Sequence, residues 1–452
     1  MMKKILFLLL LLTPIFASAQ NQKKATVKYT AIKPVGVIKN LSDSALLDVV
    51  QRQTFRYFWD FAHPVSGMAL ERSNEAFDYG GEVVTTGGTG FGIMAMIVAV
   101  DRKWIPREQA VDRMLNMVKF LSKADAYHGV FPHWLNGATG KIIPFGRKDD
   151  GGDLVETSFL FQGLLTAKQY YNGTSQKEEE LRNRIGWLWS EIEWDFYTHE
   201  RDNLYWHWSP NNGWAMNFPI RGFNECLITY VLAASAERYP VDAARIYNRG
   251  WAQSDFFKNG KSFYGIKLPL GFDYGGPLFF SHYSFLGLNP KGLKDQYADY
   301  WEQNVNHTRI NYAYCVDNPK KFKGYGENCW GLTASDNHEG YNAHSPTNDL
   351  GVITPTAALS AFPYTPKESM KALRHFYYDL GDKIWGEYGF VDAFNESKNW
   401  YAKSYLAIDQ GPIVVMIENH RSGLLWNLFM SAPEIQGGLK KLGFESPSIK
   451  SN

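Results

Sequence analysis

Four carboxylates fall within the eight residues DDGGDLVE, at Asp149, Asp150, Asp153 and Glu156. Read as a helix start, the stretch puts Asp153 and Glu156, three apart, on one face, with Asp149 about one turn upstream in the preceding loop. The intervening glycines let the backbone come close to a ligand. One aspartate is enough to cap a helix, and anions suit a helix N-terminus. Four exceed that need and point to acid–base chemistry. Glu225, in GFNEC, opens another apolar stretch beside Phe223, Cys226 and Leu227. Apolar neighbours raise a carboxyl pKa, while a helix end lowers it. A raised value suits a general acid. Glu225 is therefore expected as the acid, with a carboxylate of the Asp149–Glu156 group, Asp153 first, as the base or the residue that orients water.

Further polar candidates lie in the same kind of setting. Asp409 precedes Gly411-Pro412 at another apolar stretch, and Asp336 sits in the loop SDNHEGY. His133 and His207 each adjoin a tryptophan and can bond to hydroxyl groups. Aromatic residues make up 15% of the chain, and many fall outside helix-like segments: Trp134, Trp206, Trp208 and Trp214 among them. Core packing explains poorly a WHW run beside SPNNGW. Flat apolar faces with polar rims suit sugar rings. Other chemistries find little support. There is no HExxH, CxxC or histidine cluster at metal spacing, no phosphate loop and no GxSxG elbow, so no metal or cofactor is expected.

These residues must be positioned by a repeated element. Six times a glycine-bearing turn runs into an apolar stretch, starting at Gly87, Asp149, Arg221, Asp273, Thr347 and Asp409. Such a long period marks a repeat architecture. Amphipathic segments at 44–62, 106–124, 176–195, 241–257, 293–314 and 366–380 alternate with them. Stretches apolar all round are buried on most sides, and amphipathic ones are not. Links from inner to outer segments are roughly 3–6 residues, and the return links roughly 15–35, well above the usual median. Long links on one face carry function. The pattern predicts an all-α chain, an (α/α)6 barrel of six inner and six outer helices. Its long loops are in part β-hairpins, with hairpins expected at 131–145 and 203–218.

Residues 1–19 read as a secretory signal, with Lys3 and Lys4 before an apolar core and a small-residue cut after Ala19. Residues 20–43 read as an extended arm, and 44–452 as one catalytic domain, exported to the periplasm or beyond. With 47 basic and 46 acidic residues, no footprint for nucleic acid or an anionic membrane appears. No later stretch is long and apolar enough to span a membrane. A monomer acting on oligo- or polysaccharide is expected. An acid-rich site face disfavours a lyase gripping anionic uronates. Three cysteines make no disulfide framework, although Cys315 and Cys329 share one region and could pair.

The motifs TTGGTGFG, FPHW, DDGGDLVETSFL, GFNE and YGENCWGLTASD occur in this order and resemble the bacterial glycoamylase-like family, which overlaps glycoside hydrolase family 144, the endo-β-1,2-glucanases. The resemblance runs from about Ala45 to Phe429. It implies an (α/α)6 fold, export, and hydrolysis of β-1,2-glucan, with the important acids on Asp149, Asp153, Glu156 and Glu225. The alternatives are a glucoamylase-type α-glucan hydrolase and a glycan-binding protein without catalysis.

Overall fold

Whether a helix of this chain is apolar on one face or on all decides its place. The computed structural model describes residues 29–74 and 80–450, and 31–450 of these belong to the compact unit Ala31–Asn452. The expected signal segment, 1–19, and the start of the arm, 20–28, lie outside the described residues. Among the described residues the helices are α1 (Asp43–Trp59), α2 (Thr86–Asp101), α3 (Arg107–Leu121), α4 (Leu154–Tyr170), α5 (Gln176–Ser190), α6 (Leu227–Ser235), α7 (Ala243–Arg245), α8 (Tyr300–Asp317), α9 (Pro355–Leu359), α10 (Pro366–Arg374), α11 (Gly381–Ile384), α12 (Ala407–Arg421), α13 (Leu424–Ser431) and α14 (Pro433–Lys441). The chain is thus mainly helical, with short two- and three-stranded ribbons between helices.

Helices α2 and α4 are buried on every side over residues 86–99 and 154–167. Helix α5 buries only Glu178, Leu181, Ile185 and Leu188, one stripe of an otherwise polar surface. Helix α2 packs against α1, α4 and α12; α4 also packs on α6, and α12 on α9. Glycine permits the closest of these contacts. A Cβ at Gly163 would collide with the Gly90 backbone, and one at Gly90 with the Phe159 carbonyl. The two buried helices therefore meet backbone to backbone, as interiors packed to crystal-like density require.

Two apolar stretches do not become the long helices their periodicity predicts. The stretch from Asp273 forms only short 3-10 turns, Leu278–Ser281 and Ser284–Leu286. Before them Tyr274, Gly275 and Gly276 all have positive φ, and Pro277 has no amide hydrogen to donate. The stretch from Thr347 yields only α9, which starts at Pro355. Among the outer segments, α7 passes into a π turn, Ile246–Trp251. Helix α8 begins at Tyr300, where Asp299 caps it by accepting from the amides of Trp301 and Glu302.

The hairpin expected at 131–145 forms, with Trp134–Asn136 pairing Ile142–Ile143 and also Val83–Thr85 just ahead of α2. The second is rearranged. Leu204–Tyr205 pairs with Pro219–Ile220, but His207–Trp208 leaves the hairpin and pairs with Gly152–Asp153. That pairing lays the tryptophan-rich loop directly on the acidic start of α4. The described part of the arm is extended and tied down: Val35 donates to Gln53 at 3.0 Å and Ile38 to the Tyr377 hydroxyl at 2.9 Å.

Candidate active site

Asp153 is the hub of the site. It is the N-cap of α4, and its Oδ1 accepts from the amides of Val155 and Glu156 at 3.0 and 2.9 Å. Its Oδ2 lies 3.0 Å from His133 Nδ1 and accepts from Trp206 Nε1 at 3.2 Å. Every oxygen of this buried carboxylate is thus engaged by two donors. Three elements converge here: the segment leading into the strand Trp134–Asn136, the α4 start and the WHW loop.

Glu156, one turn on, reaches across to α2. Its Oε2 accepts from the Gly87 amide at 2.8 Å. A Cβ at Gly87 would press on this carboxylate and on the Phe159 ring, so only glycine leaves the acid its seat. The other oxygen stands 4.0 Å from His133 Nε2. Burial raises the Glu156 pKa, while His133, the Gly87 amide and the Thr85 hydroxyl oppose the rise. His133 pays a desolvation cost, its largest single effect, yet Glu156 and then Asp153 carry its pKa up to about 9. It is a cation at neutral pH, stacked on Phe145 at 4.1 Å.

Asp149 is held in the loop ahead of α4. Burial first, then repulsion from Asp153, pushes its pKa up to about 7, against the pull of His133. Its Oδ1 lies 3.3 Å from His207 Nε2, which also accepts from the Gly151 amide at 3.1 Å. Asp150 faces elsewhere. Ser209 and Asn211 donate to it, with Asn211 Nδ2 at 2.8 Å, so it pins the turn after Trp208.

Glu225 lies in the turn two residues before α6, one step outside the helix predicted for it. Ser284 fixes that turn by donating to the Glu225 carbonyl and accepting from the Ile228 amide. The side chain is half-buried, and its Oε2 is buried with no hydrogen-bond partner. Burial, then the charges of Glu156 and Asp153, raises its pKa to about 7, although its own amide works against this. A carboxyl in this state holds a proton near neutral pH and can give it up.

A second acidic group borders the first. Arg72 spans Glu71, at 2.8 Å, and Asp336, at 3.0 Å. The Asp336 amide donates to Asp392 at 2.7 Å, and Asp392 couples to Asp409 on the first turn of α12. Burial, then the charge of Asp336, raises Asp392 to about 7, with Asp409 opposing by a hydrogen bond; burial, then the charge of Asp392, raises Asp409. A cavity of about 200 Å³ joins the two groups, lined by Glu71, Arg72, His133, Trp134, Glu156 and Tyr341 among others.

The structure thus brings His133, Trp134, Asp149, Asp153, Glu156 and Trp206 together, with Glu225 within electrostatic reach. The other expected residues stand in different surroundings. His207, expected to touch a ligand, is buried and serves as a prop between Gly151 and Asp149. Trp208 and Trp214, expected to stack sugars, pack within their own loop: Trp214 lies on His199 at 4.4 Å, and Trp208 edges Phe196 at 5.5 Å. Asp409 is buried against Asp392, and Asp336 is spoken for by Arg72 and Ser404. The cysteines 226, 315 and 329 are all free and buried, so the pairing considered for Cys315 and Cys329 is not formed. Glu71, Arg72 and Asp392 were not singled out from sequence, since each stands in a loop without a local pattern.

Residues 217–433 match the family model Glycoamylase, described as "Putative glucoamylase". The chain is 46% identical over 424 residues to an exo β-1,2-glucooligosaccharide sophorohydrolase (non-reducing end) of Parabacteroides distasonis, an alignment spanning 89% of this chain and 58% of that protein. The chain therefore spans little more than half the length of that curated relative. The solved endo-β-1,2-glucanase from Chitinophaga pinensis, in complex with sophorotriose and glucose, is 55% identical. It superposes with a TM-score of 0.88 over 90% of this chain and 100% of its own. The endo-β-1,2-glucanase from Talaromyces funiculosus, at 10% identity, shares the fold alone, with a TM-score of 0.59 over 85% of this chain and 87% of its own. On this likeness over about nine-tenths of the chain, together with the motifs seated around Asp153, the chain belongs to the bacterial glycoamylase-like family, glycoside hydrolase family 144.

Proposed function

We propose that this protein is a glycoside hydrolase that cleaves β-1,2-glucan by general acid and base catalysis with inversion. The observation that carries the proposal is Glu225: a carboxyl with a pKa near 7 and an unpartnered buried oxygen, beside an acid group organised by the His133 cation. The β-1,2 linkage rests on the relatives, which are named for β-1,2-glucan substrates over most of this chain's length. Glu225 gives its proton to the leaving glycosidic oxygen. The water is activated from the Asp149–Glu156 group. Asp153, with both oxygens already engaged by two donors each, positions His133 and Trp206 and has no free site for water. Glu156 faces the cavity, and the Gly87 amide and His133 support its charge, so it takes the role of base. Glu225 and Glu156 stand at the starts of two packed helices, α6 and α4. Such an arrangement favours the wider spacing of an inverting pair, about 6.5–9.5 Å, over the roughly 5 Å of a retaining one.

The same reading extends to the architecture. The contacts α12–α2–α4–α6 and α12–α9 support inner helices that close as an (α/α)6 ring, the gap after α6 being filled by the 3-10 turns that touch it. The leader read in residues 1–19 supports export, where a monomer would meet soluble glucan. The purified protein, assayed against β-1,2-, β-1,3-, β-1,4- and α-1,4-glucans, should release product from the β-1,2 polymer. Cleavage of starch with β-1,2-glucan left intact would sink the linkage assignment in favour of the glucoamylase alternative.

A further inference from the structure

Three side chains of the types that bind transition metals meet apart from the carboxylates of the candidate active site. Cys329, His375 and Glu396 each offer one ligand atom, and these atoms lie within 4.8 Å of one another. They come from three separate segments: the loop after α8, the π turn His375–Asp379 that continues α10, and the turn of the ribbon Phe394–Asn395 with Trp400–Tyr401. Such a meeting of distant segments is not a by-product of local sequence.

Two further features fit a metal. His375 Nδ1 lies 2.8 Å from the Asp379 carboxylate. With Nδ1 as donor, the lone pair sits on Nε2. A carboxylate behind a histidine in this way is the usual outer shell of a metal-bound imidazole. The Glu396 carboxylate, for its part, has no hydrogen-bond or ion-pair partner among the described residues, although it is only half-exposed. A Cβ at Gly324 would collide with it, and Gly324 has φ +90°. The loop backbone thus makes room for this carboxylate, whose charge Lys383 feels without forming an ion pair with it.

We propose that Cys329, His375 and Glu396 form a zinc site, with water as the fourth ligand and Asp379 orienting His375. Thiolate, imidazole and carboxylate together suit zinc among the common divalent ions. With bonds of about 2.0–2.3 Å, the ligand atoms of a tetrahedral zinc stand roughly 3.3–3.8 Å apart, so closure asks for shifts on the order of 1 Å. On binding, the S–H bond of Cys329 is replaced by a sulfur–zinc bond and the proton leaves to solvent. The ion staples three segments, two loops and the π turn. One of them leads into the strand Ala334–Asn337, which carries Asp336, and another follows Asp392. The zinc therefore stiffens the wall of the candidate site from behind and takes no part in the chemistry.

The test uses the full chain, stripped of metal by chelator dialysis and titrated with zinc ion alone against a chromophoric chelator. One zinc per chain and a raised thermal midpoint are expected. Cobalt ion should give a thiolate-to-cobalt charge-transfer band. Cys329→Ser should abolish that band and weaken zinc binding by about 100-fold or more. Asp379→Asn should keep the band and weaken binding about 10–100-fold. Absence of the charge-transfer band in the unsubstituted protein overturns the site, as does zinc binding equally tight in the protein with Cys329→Ser and His375→Ala combined.

Discussion

Replacing Asp153 by Asn removes one charge and changes almost no volume, so its effect can be worked out. The amide oxygen can take the place of Oδ1 and keep the Val155 and Glu156 amides. The NH2 group then replaces Oδ2 and points a donor at Trp206 Nε1 and at His133 Nδ1. Trp206 loses its acceptor, at about 1 kcal/mol. His133 keeps Glu156, its strongest raising partner, but loses Asp153, so its pKa should fall from about 9 by roughly 1–2 units. At 1.36 kcal/mol per unit that adds about 2 kcal/mol, for a total near 3 kcal/mol. The sign follows from the direction of the shift. The folded value of His133 lies above its ordinary 6.5, so its stabilisation is complete below pH 6.5 and is lost as pH rises through 9. Urea unfolding at pH 6 and pH 10 should therefore show a gap between the two proteins of about 3 kcal/mol at pH 6 and about 1 at pH 10. Histidine NMR titration should show the lowered pKa directly. An equal gap at both pH values, or His133 still titrating near 9 in the variant, would refute this account of the hub.

Other expectations follow from single contacts. The kcat/KM profile on β-1,2-glucan should fall on the alkaline side near pH 7, because Glu225 works only when protonated, and this limb should vanish in Glu225→Gln. Gly163→Ala should destabilise by more than about 3 kcal/mol or prevent folding, since its Cβ meets the Gly90 backbone; a normal melting temperature would contradict the close helix crossing. Trp206→Phe should lower kcat about 10-fold with little loss of stability, whereas Trp214→Ala, at a half-exposed ring, should cost about 1–3 kcal/mol of stability and leave KM nearly unchanged. The reverse pattern in steady-state kinetics and thermal melts would return Trp214 to the sugar-binding groove.

The alternation of wholly apolar and amphipathic stretches was enough to place α2, α4 and α12 inside and α3 and α5 outside, because burial on all sides leaves a strong periodic signal. It failed where backbone chemistry overrides periodicity. Tyr274 through Pro277 breaks the fourth inner stretch before its apolar residues can form a helix. At the site, the local cluster Asp149–Glu156 was visible because its members are neighbours in sequence. The partition of roles was not visible. Asp153 looks like the freest base in sequence, yet two backbone amides, a histidine and a tryptophan from distant segments saturate it. Glu71 and Arg72 reach the cavity, and Asp392 the Asp336 amide behind it, through loops with no pattern, and Cys329, His375 and Glu396 are separated by tens of residues. No local spacing rule could have joined either set.

The central claim is that Glu225 protonates a β-1,2 glycosidic bond while a carboxylate across the cleft drives water onto the opposite face. Proton NMR of linear β-1,2-glucan, recorded within the first minutes after adding the purified protein, tests it most directly. The account predicts that new reducing ends appear first as the α-anomer and only later equilibrate. New reducing ends appearing first as the β-anomer would contradict it.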